Sequence, residues 1–152
     1  MHGMTDDEIA RLRTAVLRVA RHMRRLSAEE GLTPAQSGLL ATLVRRGPTR
    51  AGDLAACEGL NPTMLSRMIG ALEERGLVAR SADAEDRRAT LVEATAAGRR
   101  LIGRIRARHS AALTTLLEDL EPGRLAALRD ALPALEALAG GDGGRAAGEV
   151  RR

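Results

Sequence analysis

The chain has 152 residues, 44% of them hydrophobic and 29% charged, and this length and composition suit one globular domain. It contains no Phe, Tyr or Trp, so we do not expect it to bind single-stranded nucleic acid by base stacking, and its richness in Ala and Leu argues against an all-β fold. All 24 basic residues are Arg and the net charge is only +4, so any nucleic-acid binding must depend on a few well-placed arginines.

The sequence carries no sign of a membrane span or a disulfide framework. Its apolar runs are too short to cross a bilayer. Asp6, Asp7 and Glu8 stand where a signal peptide would carry basic residues and then an apolar stretch. A single cysteine cannot form an internal disulfide, so we expect a cytoplasmic protein.

The first predicted helix runs from about Thr5 to Leu26. Acidic residues in its first turn suit the positive end of the helix dipole. Its apolar residues recur at spacings of three and four, which makes a narrow seam that favours packing against partner helices. The seam consists of Ile9, Leu12, Val16, Val19, Met23 and Leu26.

The second predicted helix begins at a clear N-terminal signal. Thr33 stands at the N-cap, Pro34 occupies the first helical position, and Gln36 completes a capping box. Gly47-Pro48 ends this helix, because Gly favours the C-terminal cap and Pro cannot continue the helix. Thr49 is then predicted to cap a short third helix.

A fourth helix completes a helix-turn-helix plan. The third helix ends in a tight turn at Gly59, Asn61-Pro62 begins the next helix, and Gly76 ends it. A short helix, a turn that holds Gly and a second capped helix are typical of DNA-binding proteins. At about 100° per residue, the inward face of the fourth helix groups its large apolar residues. They are Leu65, Met68, Ile69 and Leu72.

The outward face of the fourth helix offers groups that read DNA. Thr63 and Ser66 provide hydroxyls, and Arg67 provides a guanidinium that can pair with guanine through two hydrogen bonds. The methyl group of Thr63 can also contact thymine. The alternative is an ordinary amphipathic helix with a solvated polar face.

Two short strands are predicted after the fourth helix, at 77–80 and 90–93. The polar loop between them makes a hairpin with a long tip that carries Arg87 and Arg88. Arginine at such a tip can enter the narrow minor groove, and Asp86 can hold an arginine in position. The alternative is a solvated, charged loop.

Two further helices complete the chain. Thr95 caps a long helix to about Asp119, and Pro122 opens a last helix in which Pro133 is expected to cause a kink or an interruption. Both helices carry narrow apolar stripes, which they can bury against the first helix within one chain or across two. Residues 140–152 are Gly-rich and polar, and we expect them to be disordered.

Taken together, these residues resemble the multiple antibiotic resistance regulator (MarR) family of winged-helix repressors. The resemblance covers roughly residues 5–139, and Ala94 stands where the family usually has Leu. The residues that carry it are Leu32-Thr33-Pro34-Ala35-Gln36, Leu54-Ala55, Leu65-Ser66-Arg67-Met68-Ile69, Leu72-Glu73-Glu74-Arg75-Gly76-Leu77-Val78 with Arg80, the wing signature Asp86-Arg87-Arg88, and Thr95-Ala96-Ala97-Gly98.

The resemblance implies a mainly α fold, namely a winged helix-turn-helix with six helices and a two-stranded wing. It implies one domain over 1–139, with a DNA-binding lobe at about 33–94 and dimerisation helices at about 5–28 and 95–139. Helices 1, 5 and 6 interlock two copies, and each lobe meets one half of a palindromic site. A small-molecule pocket between the dimerisation helices and the lobe would be lined by Leu, Met, Ala and Arg, since the chain has no aromatic residue.

We therefore predict a ligand- or stress-responsive regulator, a repressor that binds double-stranded operator DNA as a homodimer, without cofactor or metal. The predicted DNA-binding residues are Arg50, Asn61, Thr63, Met64, Ser66, Arg67, Asp86, Arg87 and Arg88. The predicted dimerisation residues are Ile9, Leu12, Val16, Val19, Leu113, Leu116, Leu120, Leu128 and Leu132.

Other classes of function have less support in the sequence. A winged-helix module that binds a protein is the main alternative, and an enzyme is disfavoured because no phosphate-binding loop or nucleophile–base set is present. Cys57 is predicted to be a small buried packing residue. His109 lies on an apolar stripe and is predicted to be a core or interface histidine, since no His or Cys pair has metal-ligand spacing.

Overall fold

A computed structural model of the chain describes residues 3–86 and 88–140. Within these ranges it contains six α-helices and a three-stranded antiparallel sheet, and no helix is long and apolar enough to cross a membrane. The elements are α1 (Asp6–Ala28), α2 (Pro34–Arg46), β1 (Thr49–Arg50), α3 (Ala51–Glu58), α4 (Pro62–Glu74), β2 (Val78–Ala82), β3 (Thr90–Ala94), α5 (Ala96–Glu118) and α6 (Pro122–Leu138).

Capping boxes begin the first two helices. At α2, Thr33 Oγ1 accepts from Gln36 N at 3.2 Å and Gln36 Oε1 accepts from Thr33 N at 3.0 Å, which confirms the predicted box. At α1, Thr5 and Glu8 form a second box that we did not predict. Each box provides acceptors for backbone donors that have no partner within the helix.

The sheet confirms the predicted hairpin and adds a strand to it. The strand order is β1-β3-β2, and β2 pairs with β3 from Val78 opposite Ala94 to the tip of the hairpin. The predicted cap at Thr49 is wrong, because Thr49 pairs with Val92 in β1 and Arg50 takes the N-cap position without a side-chain hydrogen bond. A strand of two residues is too short to show a periodicity in the sequence.

The hydrophobic core lies among α2, α3, α4, the sheet and the first half of α5. The inward face predicted for α4 is buried, apart from Met68, which is half-buried. The helices α2 and α3 also contribute buried residues to this core. The most completely buried side chains belong to Leu32, Leu39, Leu40, Leu43, Leu54, Leu72, Val92 and Ile102.

The chain divides into two compact units at Ser110, inside α5. In the second unit, α6 has no buried residue and runs through Pro133. The helix is therefore not interrupted there, and the alternative that we gave, a kink at Pro133, stays a prediction. One lost hydrogen bond does not break this helix, because its Ala- and Leu-rich sequence favours helix on both sides. Of the tail predicted to be disordered, 141–152 lie outside the described residues, and one domain over 1–139 stays a prediction.

Candidate nucleic-acid interface

The turn between α3 and α4 fixes the start of the second helix. Gly59 adopts a left-handed conformation with φ +63°, and Leu60 N donates to Ala55 O at 3.0 Å. A residue with a Cβ would be strained at this φ, so glycine is the natural choice. Asn61 Oδ1 accepts from Met64 N at 2.8 Å, which confirms the predicted N-cap of α4.

The first half of α4 presents an exposed surface. Its inner residues Leu65 and Ile69 are only 2% exposed, whereas Thr63, Ser66 and Arg67 on the other side are exposed. Within the described residues Arg67 makes no ion pair, so its guanidinium is open to an external partner. The structure thus brings these predicted residues together on one side of α4, and Met64 is exposed beside them.

The start of the wing loop, just after β2, is held by an ion pair. Arg50 Nε lies 2.6 Å from Asp83 Oδ2, and Asp83 Oδ1 accepts from Glu85 N at 2.8 Å. The Glu85 backbone hydrogen bond and then Arg50 lower the pKa of Asp83, while Asp83 raises the pKa of Arg50. Arg50 therefore anchors the wing, and its predicted contact with DNA stays a prediction.

The tip of the wing is shaped by Asp86. Its Oδ1 accepts from the backbone nitrogen of Arg88 at 3.0 Å, and its carbonyl accepts from Ala89 N at 2.9 Å. The Asp86 carboxylate thus orders the backbone that presents Arg88, and its predicted hold on an arginine stays a prediction. The side chain of Arg88 is exposed, and Arg87 lies outside the described residues.

Arg80 joins the wing to α4, a role that the sequence patterns did not predict. Its Nε lies 3.3 Å from Glu73 Oε2, and its Nη2 donates to the carbonyl of Ser66 at 3.3 Å. The only signal in the sequence was its place in the matching motif. Because both partners lie on α4, Arg80 fixes β2 beside the helix that carries Arg67.

A cleft of about 280 Å³ lies behind α4, against α3 and the sheet. Its walls are mainly apolar, with Arg80, Ser66 and Thr90 as polar residues. The resemblance implied a pocket elsewhere, between the dimerisation helices and the lobe. The apolar lining residues include Ala51, Ala55, Pro62, Leu65, Ile69 and Val92.

Most of the predicted dimerisation residues are exposed in the single chain. Leu12 and Leu120 are half-buried, and Leu17 is an exposed apolar residue that we did not include. The exposed predicted residues are Ile9, Val16, Val19, Leu113, Leu116, Leu128 and Leu132.

Cys57 and His109 differ in how far the structure buries their side chains. Cys57 is exposed, so the prediction of a buried packing residue is wrong; α3 buries Leu54 and Ala55 and turns Cys57 outward. His109 is half-buried, and its Nε2 lies 3.0 Å from the carbonyl of Met23 and 3.1 Å from Ser27 Oγ, so it joins α5 to α1. Among the described residues no group of His, Cys, Asp and Glu could hold a metal ion.

Comparison with known proteins identifies relatives of this arrangement. The model of the MarR family matches residues 32–90, which span α2 to the start of β3. An HTH-type transcriptional regulator of Mycobacterium leprae is 30% identical over 120 residues, which are 79% of this chain and 84% of that protein. The structure of RV1404 from Mycobacterium tuberculosis is 25% identical with a TM-score of 0.80, over 93% of this chain and 99% of that one. The transcriptional regulator Tm0710 from Thermotoga maritima is 25% identical with a TM-score of 0.74, over 90% and 96% of the two chains.

Proposed function

The chain belongs to the MarR family of DNA-binding transcription regulators, and from this premise we propose that it is a repressor that binds a palindromic operator as a homodimer. The observation that carries the proposal is the exposed first half of α4. There Thr63, Ser66 and Arg67 stand together, with the wing fixed beside them by Arg80. A helix with hydroxyl and guanidinium groups at its N-terminal end is suited to the major groove, and the wing to the flanking DNA.

The exposed apolar residues of α1 and of 111–138 support a second copy as their partner. A set of this size on a monomer would be an aggregation liability. The charges of the two segments are complementary, since α1 has six arginines against three acids while 111–138 has five acids against two arginines. We propose that two copies bury these surfaces against each other, as the coiled-coil-like spacing in α1 favours.

We also propose that the protein responds to a small-molecule ligand, and the cleft behind α4 supports this proposal. A small, mainly apolar molecule with an anionic group would match its apolar walls and Arg80. Because Arg80 also binds Glu73 and Ser66, such a ligand would compete for the contacts that hold the wing beside α4. Its binding would then change the relative placement of the two DNA-contacting elements.

Footprinting tests the proposal on the DNA upstream of the gene that encodes the chain and of its neighbours. We expect a protected palindrome and, in titrations on that duplex, an affinity that falls steeply with salt concentration. A winged-helix module that binds a protein would protect no sequence and would show no preference for operator over scrambled duplex.

A further inference from the structure

The C-terminal end of α4 is attached directly to α5. Thr95 Oγ1 donates to the carbonyl of Gly76 at 2.6 Å, and Thr95 N donates to the carbonyl of Leu77 at 3.0 Å. Gly98, one turn into α5, lies so close that a Cβ there would stand 2.1 Å from the Leu77 oxygen. The first turn of α5 therefore abuts the backbone that follows α4.

Arg75, the C-cap residue of α4, makes a second attachment in another direction. Its Nη1 donates to the carbonyl of Gly31 at 2.6 Å, and its Nη2 donates to the carbonyl of Glu30 at 3.2 Å. Both carbonyls belong to the connection between α1 and α2. Hydrogen bonds from a charged guanidinium are stronger than those between neutral groups, so this contact holds the end of α4 to that connection.

The connection is itself held by α5. The Glu30 carboxylate lies 3.2 Å from Arg108 Nη1 and 3.5 Å from Arg104 Nη2, and the neighbouring Glu29 also pairs with Arg108. The hydrogen bond with Glu29, and then the one with Glu30, raise the pKa of Arg108. The Glu30 side chain is only 19% exposed, and these ion pairs fix its carboxylate against α5. Glu30 thus joins α4, through its carbonyl, to α5, through its carboxylate.

Two attachments constrain the direction of α4 more than one does. The apolar inner face of α4 is non-directional, and Arg80 joins α4 only to the wing. Without Arg75, the contact at Thr95 would leave α4 and the wing able to pivot together relative to α5. Thr63 lies twelve residues before Arg75, about 18 Å along the helix, so a pivot of about 5° would move it by about 1.5 Å. A displacement of that size is enough to misplace a base contact.

We propose that Arg75 is a positioning residue for DNA recognition, which acts through Glu30 to hold the direction of α4 relative to α5. In a dimer built on α5, this direction sets the separation of the two recognition helices, and so the separation of half-sites that the protein prefers. The inference rests on the proposed function, because it needs a homodimer that reads two half-sites.

The experiment measures how strongly binding depends on half-site spacing. The probe is the duplex that the wild-type protein selects from a random-sequence pool. It is compared with the same duplex carrying one base pair inserted between its half-sites, which moves one half-site by about 3.4 Å and about 34°. The variants are Arg75→Gln, Arg75→Lys, Glu30→Gln and the double variant Arg75→Gln with Glu30→Gln. Arg106→Gln is the matched control, since Arg106 is exposed on α5 and makes no ion pair among the described residues.

We expect the wild-type protein and Arg106→Gln to prefer the original spacing. Arg75→Gln should reduce that preference at least about threefold, as expected for residues in one hydrogen-bond network, and Glu30→Gln should do the same. The double variant should be no worse than either single one, because both changes break the same connection. Arg75→Lys keeps the positive charge but not the planar guanidinium that donates to two carbonyls. Its spacing preference should therefore lie between those of wild type and Arg75→Gln.

An equal loss of affinity on both duplexes, with the spacing preference unchanged, would show a merely structural role and overturn the proposal. If the two losses of spacing preference add up in the double variant, Arg75 and Glu30 act independently. That result would overturn the inference that Arg75 acts through Glu30. Circular dichroism and sedimentation show whether each variant remains a folded dimer. If Arg75→Gln does not fold, Glu30→Gln tests the proposal in its place. This variant leaves both hydrogen bonds from the Arg75 side chain to the carbonyls of Gly31 and Glu30 in place. A wild-type protein that selects no duplex, or a duplex without two half-sites, overturns the proposed function and this inference together.

Discussion

Arg50 and Asp83 form an ion pair, with 2.6 Å between Nε and Oδ2, that joins the residue before α3 to the residue after β2. The Asp83 side chain is 9% exposed, and its two oxygens have separate donors, Arg50 and the backbone nitrogen of Glu85. The loop of the wing is therefore anchored to the helix-turn-helix at its base. A partly buried, hydrogen-bonded pair of this kind orders its surroundings more than a fully exposed pair does.

The first prediction concerns the pH dependence of this anchor. The pKa of Asp83 is lowered, so its contribution to stability is complete above the unfolded-state pKa of about 3.9 and is lost as the pH falls through the folded-state value. Asp83→Asn should therefore have a lower Tm than wild type by a constant amount between pH 5 and 8, and the two proteins should converge in acid. Thermal unfolding followed by circular dichroism checks this. A difference that widens on acidification would contradict the assigned role.

The second prediction concerns the dimer surface of α1. Val16 and Val19 are exposed in the single chain and lie on the seam that we assign to the partner copy. Replacing both with Glu would place charges in an apolar interface, so we expect insoluble or unfolded protein. Thr14→Glu, on the same helix but outside the seam, is the control and should remain a folded dimer. Sedimentation that shows a stable, folded wild-type monomer at micromolar concentration would count against the dimer.

Sequence patterns predicted the elements well where local chemistry decides them. The capping box at Thr33, the cap at Asn61 and the turn at Gly59 are all local signals, and each is confirmed. Thr49 and Cys57 were misjudged because their surroundings come from distant parts of the chain. The sheet partner of Thr49 is Val92, and the exposure of Cys57 depends on which face of the short helix α3 packs inward.

The links between elements were beyond prediction for the same reason. Arg50 with Asp83, and Arg75 with the carbonyl of Glu30, are pairs more than thirty residues apart in sequence. A single sequence shows that these residues are charged but not which partners they meet. The site itself was more predictable, since the outward face of α4 follows from helical periodicity alone.

The third prediction assigns a methyl contact to Met64. It is 51% exposed beside Thr63, at the end of α4 that we propose enters the major groove. An apolar side chain there can contact the C5-methyl group of thymine. Replacing thymine by uracil in the operator removes only that methyl, and at the contacted position we expect a loss of about fourfold per half-site, the value of one buried methyl group. Met64→Ala should be insensitive to the replacement, and equal sensitivity in both proteins would exclude the contact.

The fourth prediction separates reading of the sequence from affinity. Arg67 lies opposite the buried Leu65 and Ile69, one turn beyond Thr63, and is free of ion pairs within the described residues. If it binds guanine with two hydrogen bonds, Arg67→Ala should cost about 1–3 kcal/mol per half-site on the operator and little on scrambled DNA. Arg88 is exposed at the tip of the wing, where it can reach the minor groove or the phosphates of the flanking DNA.

Arg88→Ala is therefore the matched comparison for Arg67→Ala. The loss of a phosphate contact should weaken operator and scrambled duplex alike and lower the slope of log K against log salt by about 1 per contact. If the side chain enters the minor groove instead, Arg88→Ala should remove only a preference for A·T pairs at the flanks. One titration series of both variants on operator and scrambled duplex, at two salt concentrations, distinguishes these results. Full discrimination by Arg67→Ala would show that α4 does not read the bases through this residue.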